Sequence, residues 1–166
     1  MAVLSIRKAG DEVLNKKARR VTSIDRSVLK LIDDMIETMQ SAPGVGLAAN
    51  QVGKLLRIAV IQMPDEPVIT LINPVVVKRE GERVVDEGCL SIPGWHGETR
   101  RSACVKVRAL DRDGKEFRLK GEDLLGQCLE HEIDHLDGIL YTDRLVKPGS
   151  LLKNEPEEST SLPPSE

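Results

Sequence analysis

Hydrophobic positions recur with a helical period in the first quarter of the chain. Six aliphatic or methionine side chains fall at i, i+3, i+4, i+7, i+8 and i+11, which places them on one face of a helix. They are Val28, Leu31, Ile32, Met35, Ile36 and Met39. Ser23 or Asp25 can cap the first turn. The pattern predicts an amphipathic N-terminal helix that packs on a core and carries no chemistry.

From Arg57 onward the hydrophobic period changes to two, which is typical of strands. A turn at Asp113-Gly114 predicts a hairpin between the last two of these segments. The predicted strands are 57–61, 68–72 (ended by Asn73-Pro74), 75–77, 82–86, 105–110 and 117–119. Because they follow one another without intervening helices, we expect an α+β fold with mostly antiparallel strands.

A second helical pattern follows the last strand and contains His-Glu-x-x-His. His131 and His135 lie four residues apart, so in a helix both imidazoles project from one face. Two ring nitrogens can then meet one metal ion, with Glu132 beside them as a proton carrier. Leu124 and Cys128 continue the same stripe toward the N-terminus. We expect this helix to be the central element of the fold, with the sheet strands packed around it.

A catalytic site of the zinc type usually has three protein ligands, so the third ligand decides the chemistry. A metzincin-type protease needs a histidine where the chain has Tyr141. A peptidase that uses a downstream glutamate would have to take it from a C-terminal segment too rich in Pro, Ser and Glu to fold. His96 and a cysteine therefore remain candidates. Cys89 precedes a segment broken by Pro and Gly that predicts a loop with a free sulfur, whereas Cys104 and Cys128 lie in strand and helix patterns.

Composition narrows the class of protein. Of 166 residues, 40% are hydrophobic but only Phe117, Trp95 and Tyr141 are aromatic, so the core must be aliphatic. The net charge of −3 and the scattered Lys and Arg residues do not indicate nucleic-acid binding. No apolar run is long enough to span a membrane, and the N-terminus lacks the order of a signal peptide. Three cysteines at unrelated spacings predict no disulfide framework, so we expect a cytoplasmic protein with reduced thiols.

The composition changes near the C-terminus. From residue 147 the chain is rich in Pro, Ser and Glu and offers little to bury. We therefore expect one folded domain over residues 1–146 and a flexible tail over residues 147–166.

Three segments in this order resemble the signature motifs of the peptide deformylase family. They are Gly44–Gln51 (GVGLAANQ), Glu87–Ser91 (EGCLS) and His131–His135 (HEIDH), and the similarity extends over about residues 4–146. The resemblance implies that this domain is a metal-dependent hydrolase. Its implied reaction removes the N-terminal formyl group, as formate, from N-formyl-methionyl nascent peptides.

The resemblance also implies roles for individual residues. The implied metal ligands are Cys89, His131 and His135. The implied catalytic residues are Glu132 as general base and acid, with Gln51 and the backbone N–H of Leu90 as donors to the formyl oxygen. The implied substrate-binding residues are Val45, Gly46, Val85, Leu124 and Cys128. Glu87 and Arg101 are implied to pair as structural support.

The implied cofactor is one divalent metal ion, usually Fe²⁺ in the family, with Zn²⁺, Ni²⁺ and Co²⁺ forms known. A metal can lower the pKa of bound water from 15.7 to about 7, so hydroxide forms at neutral pH. Glu132 would take the proton of that water and pass it to the leaving amine. One thiolate and two imidazoles accommodate Fe²⁺ or Zn²⁺, so ligand type alone does not select the metal.

The chain departs from the family pattern in two places. The enterobacterial type has a long C-terminal helix implicated in ribosome docking, and we expect no such helix here, so the ribosome stays open as a partner. His96 stands where many members carry arginine. Two other functions stay open. One is a zinc peptidase of ordinary amide bonds, which Tyr141 disfavours, and the other is a metal-binding module without catalysis.

Overall fold

The computed structural model describes residues 2–154, and they form an α+β fold with antiparallel sheets, as predicted. The helices are α1 (Arg26–Ser41) and α2 (Asp123–Leu136). The strands are β1 (Gly46–Ala48), β2 (Ile58–Ile61), β3 (Ile69–Glu80), β4 (Arg83–Cys89), β5 (Ile92–Arg101), β6 (Cys104–Leu110), β7 (Glu116–Glu122) and β8 (Leu152–Lys153). Single 3-10 turns occupy Glu12–Asn15, Ala49–Val52 and Tyr141–Arg144.

The strands form two antiparallel sheets. The larger has the order β1-β2-β3-β6-β7, and the smaller has the order β4-β5-β8. In the smaller sheet, Leu152 and Lys153 pair with His96 and Trp95. The first part of the predicted tail therefore contains a short strand, and the rest of it, residues 155–166, lies outside the described residues.

The two helices cover opposite faces of the larger sheet. Ile58 and Val60 of β2 pack in a cluster with α1, whereas Ala59 and Ile61 of the same strand pack in a cluster with α2. All four residues of β2 are buried, because both faces of this strand are covered. The α2 side of the core is completed by Cys128, Leu129 and Ile133, so the sheet fixes the helix that carries both histidines.

Strand β3 continues where the sequence predicted an end. Asn73 has a positive φ of 51°, and the register with β6 shifts between Ile72 and Val75. The Asn73 side chain accepts a hydrogen bond from the Val21 N–H (2.8 Å) and donates one to the Val21 carbonyl (2.9 Å). Asn73-Pro74 therefore forms a bulge rather than a strand end, and the Asn73 side chain binds this bulge to the backbone of a neighbouring segment.

The prediction of a loop after Cys89 was wrong. Cys89 is the last residue of β4, Leu90 and Ser91 form a turn, and β5 begins at Ile92. Cross-strand pairing from Arg83–Arg101 to Cys89–Ile92 stabilises this hairpin despite its Pro and Gly. The thiol is therefore presented from the end of a strand, which fixes it more firmly than a loop would.

Neither helix within residues 2–154 is both long enough and apolar enough to cross a membrane.

Candidate metal centre and active site

Three side chains from α2 and β4 converge on one point. Cys89 Sγ lies 3.3 Å from His135 Nε2, and that nitrogen lies 3.2 Å from His131 Nε2. All three candidate ligand atoms lie within 4.8 Å of one another. The histidines are one helical turn apart on α2, and the sulfur comes from the β4 end of the hairpin. This is the donor set and spacing expected of a three-ligand metal site with an open position.

A buried carboxylate orients the His131 ring. Glu87 Oε2 lies 2.7 Å from His131 Nδ1, which leaves Nε2 facing the cluster. Thr99 Oγ1 donates to the same carboxylate (3.1 Å), and the Arg101 guanidinium donates to both its oxygens (2.9 and 2.6 Å). Histidines that bind metals almost always donate their other N–H to such a partner. The predicted Glu87–Arg101 pair is therefore present in the geometry, next to a candidate ligand.

These contacts determine the charge of Glu87. Burial alone would raise its pKa, but hydrogen bonds from His131 and Arg101 lower it to about 2. Glu87 is therefore a carboxylate at neutral pH. It can accept a hydrogen bond from Nδ1–H and so fix the ring tautomer that directs the Nε2 lone pair toward Cys89 and His135.

Glu132 is buried beside the histidines with an unused hydrogen-bonding atom. Within residues 2–154, its Oε1 has no hydrogen-bond partner. A Cβ added at Gly46 would clash with its Oε2, so β1 can approach this carboxylate only because residue 46 is glycine. Burial raises the pKa of Glu132 to about 7, which is close to the pH at which a general base is most effective.

The cluster is electrostatically suited to a cation. Burial alone would lower the pKa of His131, but contacts with Cys89, Glu132 and Glu87 raise it well above its usual value. A positive charge is therefore stabilised at this ring, and a metal ion would compete with the proton for it. The donor set and the unpartnered Glu132 oxygen together fit a divalent metal ion with an open coordination position.

Gln51 lies beside the sulfur. Its side-chain Oε1 accepts a hydrogen bond from the Ala48 N–H (3.0 Å), and this contact fixes the direction of the amide. Nε2 then donates to Ser91 Oγ (3.1 Å) and faces Cys89 Sγ (3.6 Å). The amide is thus held with its donor toward the cluster, as an oxyanion donor needs to be.

A cavity of about 820 Å³ opens onto these groups. Four of the predicted substrate-binding residues line it, while Val85 does not. The four are Val45, Gly46, Leu124 and Cys128. Val45 and Leu124 keep about two-fifths of their surface exposed (39% and 41%), so an apolar ligand side chain could still cover them. The other lining residues include Gln51, Cys89, Leu90, His131 and Glu132.

The remaining third-ligand candidates lie away from the cluster or are unsuited to it. His96 Nδ1 lies 2.7 Å from Asp86 Oδ1 at the cavity wall. Cys104 is buried in β6. Burial raises the pKa of the Cys128 thiol to about 12, so it stays protonated, whereas the thiolate is the form that binds metals.

Sequence reasoning missed three polar residues around the site. They are Ser91, which receives the Gln51 hydrogen bond, Thr99, which donates to Glu87, and Asp134, which contacts Arg101. Ser91 and Asp134 lie inside motifs quoted above, and their polar side chains next to functional positions were the available signal. No such signal was available for Thr99, because its contact with Glu87 depends on the register between β4 and β5.

Comparisons with known proteins agree over most of the chain. A family model described as polypeptide deformylase matches residues 3–150. A peptide deformylase of Dehalococcoides mccartyi (strain CBDB1) is 53% identical over 159 residues, which is 95% of this chain and 95% of the relative. The crystal structure of a peptide deformylase from Legionella pneumophila has a TM-score of 0.85 and 46% identity, covering 87% of this chain and 86% of that one. One from Synechococcus elongatus in complex with actinonin has a TM-score of 0.84 and 40% identity, covering 86% and 80%.

Proposed function

The chain belongs to the polypeptide deformylase family of enzymes, and on that premise we propose that it hydrolyses the N-terminal formamide of N-formyl-methionyl nascent peptides to formate and a free amine. The observation that carries this proposal is the cluster of Cys89, His131 and His135 at a cavity, with the buried Glu132 carboxylate beside it. We propose that these three residues are the metal ligands and that residues 1–146 form a single catalytic domain, with α2 as its central element.

A divalent ion held by these ligands would polarise the formyl carbonyl and acidify a water molecule. The thiolate and two imidazoles suit Fe²⁺, which we propose as the ion in vivo, and also Zn²⁺, Ni²⁺ or Co²⁺. Glu87 contributes by holding His131 in the ligating tautomer, and Arg101 contributes by holding Glu87.

Glu132 is the proposed proton carrier. Its buried carboxylate has a pKa of about 7 and a free Oε1, so it can accept a proton from the attacking water. The protonated carboxyl can then deliver that proton to the leaving amine. A carboxylate of ordinary pKa would be a weaker base and would protonate less readily for the second step.

Gln51 and the backbone N–H of Leu90 are the proposed donors to the oxygen that gains charge as the formyl carbon is attacked. Gln51 is held in place by Ala48, and Leu90 lies in the turn between β4 and β5 next to Cys89. Donors that are oriented before the reaction stabilise developing charge without reorganisation, and losing one costs about 10²–10³ in rate in other enzymes.

The apolar part of the cavity is the proposed site for the methionine side chain. Val45, Leu124 and Cys128 supply apolar surface, and the Gly46 backbone in the edge strand β1 is available to the substrate main chain. Val85, which does not line the cavity, is not part of this proposed pocket. Because the substrate is a nascent peptide, we propose a cytoplasmic location.

Replacing Glu132 tests the proposal. Glu132→Gln preserves the shape of the side chain but removes the base, so we expect unchanged metal content and formate release that is about 10²–10⁴ times slower. Glu122→Gln is the matched control, because it removes an exposed carboxylate from the start of the same helix and should leave the rate unchanged.

The assay compares formyl-Met-Ala-Ser with the unformylated peptide, which separates deformylation from cleavage of ordinary amide bonds. Full activity in a metal-loaded Glu132→Gln enzyme would refute the assigned role of Glu132. Cleavage of peptide bonds without formate release would refute the proposed function.

A further inference from the structure

The hydrogen-bond network behind the metal centre continues past Arg101 to the protein surface. Arg101 Nη1 donates to Asp134 Oδ2 (2.7 Å) while its other nitrogens hold Glu87. Asp134 also accepts two hydrogen bonds from Arg144, at 3.1 Å from Nε and 3.0 Å from Nη2. The contacts thus run from Arg144 through Asp134, Arg101 and Glu87 to the Nδ1 atom of His131.

We propose that Arg144 is a positioning residue for the metal centre, which acts through Asp134 and Arg101 on the Glu87–His131 hydrogen bond. This inference rests on the proposed function only in taking His131 as a metal ligand. Arg144 itself lines neither the cavity nor the cluster, since it lies in a separate cleft that Arg100 also lines.

The charges in this network explain why the last arginine is needed. Arg101, Glu87 and Asp134 are all buried, with two carboxylates for one guanidinium. Without Arg144, both carboxylates would compete for Arg101, because a buried charge that loses its partner is costly. The two-point contact of Arg144 neutralises Asp134. The Arg101 guanidinium can then keep its two hydrogen bonds to Glu87.

A second contact from the same 3-10 turn reaches His131 directly. The ring of Tyr141 stacks on the ring of His131, with centroids 6.2 Å apart and an interplanar angle of 27°. The turn Tyr141–Arg144 therefore contacts the His131 ring through Tyr141 and the hydrogen-bond network behind that ring through Arg144. The residues directly after this turn pair with β5. Leu145 forms a β-bridge with Thr99, and the Val146 N–H donates to the Glu98 carbonyl (2.9 Å).

The test replaces Arg144 so that its two-point contact with Asp134 is lost, and it measures the affinity of the chain for metal ions. We expect Arg144→Met to weaken Zn²⁺ and Co²⁺ binding by about tenfold, the lower end of the range for residues in direct contact with ligands. Arg100→Met is the matched control. It also removes one arginine from the same cleft, with a side chain that is 58% exposed against 43% for Arg144, but its only recorded ion pair within residues 2–154 is a 3.5 Å contact with Glu82.

A second readout follows the hydrogen bond itself. The chain has only three histidines, so the Nδ1 proton of His131 can be assigned by ¹⁵N-histidine NMR of the zinc-loaded protein. We expect this proton to shift and to exchange faster with water in Arg144→Met and to stay unchanged in Arg100→Met. A merely structural role for Arg144 would lower the melting temperature without moving this resonance.

Arg144→Lys distinguishes the effect of the two-point contact from the effect of the positive charge. It also replaces Arg144→Met in the test if the methionine variant does not fold. Lysine keeps the charge but cannot make the two-point contact, so we expect weakened metal binding here too. Wild-type affinity and an unmoved His131 proton in a folded Arg144 variant would overturn the inference. Failure of the wild-type chain to bind metal would instead refute the proposed function.

Discussion

At the scale of single residues, the centre depends on polar groups that are buried together. His131 has a carboxylate behind it, that carboxylate has a guanidinium, and both are almost inaccessible to water. In this low-dielectric setting each partner fixes the charge and direction of the next, as the lowered Glu87 pKa illustrates.

Gly46 gives a prediction at this scale. In Gly46→Ala the new Cβ would clash with the Glu132 carboxylate, so we expect the carboxylate to move and formate release to fall at least about tenfold. Thermal unfolding should change little, because β1 keeps its pairing with β2.

Gly88→Ala serves as the control for this variant. It adds the same methyl group to β4, which also lines the cavity, and the nearest atom would be the Trp95 carbonyl oxygen at 3.4 Å. Equal activity in the alanine variants at positions 46 and 88 would show that close approach to Glu132 is not required.

The sequence predicted the individual residues at the centre better than their contacts. The spacing of His131 and His135 is set by the helix itself, so it was readable directly from the chain. Asp134 shares that segment, but its partners Arg101 and Arg144 lie 33 and 10 residues away, and only the tertiary fold brings them together. Val85 was assigned to the substrate-binding residues by resemblance, although it does not line the cavity.

At the scale of elements, the local pattern identifies uninterrupted periodic segments and misses segments that are very short or broken by Pro and Gly. The interval from Val28 to Met39 lies within α1, and the 105–110 and 117–119 patterns lie within β6 and β7. Strand β1 has three residues and β8 has two, which is too short for any periodicity, and both exist because a longer strand pairs with them. Strand β5 was missed because Pro93 and Gly94 mask its start.

The cap of α1 gives a prediction at this scale. Asp25 Oδ1 accepts a hydrogen bond from the Val28 N–H (3.0 Å) at the start of the helix. We expect Asp25→Ala to lower the melting temperature by about 2–4 °C at neutral pH without changing the rate of formate release. Arg26→Ala, at the exposed first residue of the same helix, should leave the melting temperature nearly unchanged.

The stabilisation by the Asp25 cap should decrease as the pH falls. Hydrogen bonds from Ser27 and Val28 lower the pKa of Asp25 below its usual 3.8. A lowered pKa in the folded state gives stabilisation that is complete above about pH 4 and disappears as the pH falls below the folded pKa. The gap between wild type and Asp25→Ala should therefore close in acid, and a gap that stayed constant down to pH 2 would contradict the assigned cap.

At the scale of the whole molecule, the site lies where the two sheets meet. The edge strand β1 of the larger sheet and the edge strand β4 of the smaller sheet both contribute to the cavity, and α2 forms part of its wall. Gln51, Cys89 and His131 come from three different segments, so none of the three motifs could form the centre alone. Their order in the sequence identified the family, whereas their assembly required the register of both sheets.

The proposed chemistry depends on one ion shared by Cys89, His131 and His135. The most direct measurement is an anaerobic titration of metal-free protein with Co²⁺ or Fe²⁺, in which bound metal and formate release from formyl-Met-Ala-Ser are followed together. We predict that activity rises in step with bound metal and saturates at one ion per chain, and that Cys89→Ser binds the ion much more weakly. Formate release without metal, or metal binding that is unaffected in Cys89→Ser, would contradict it.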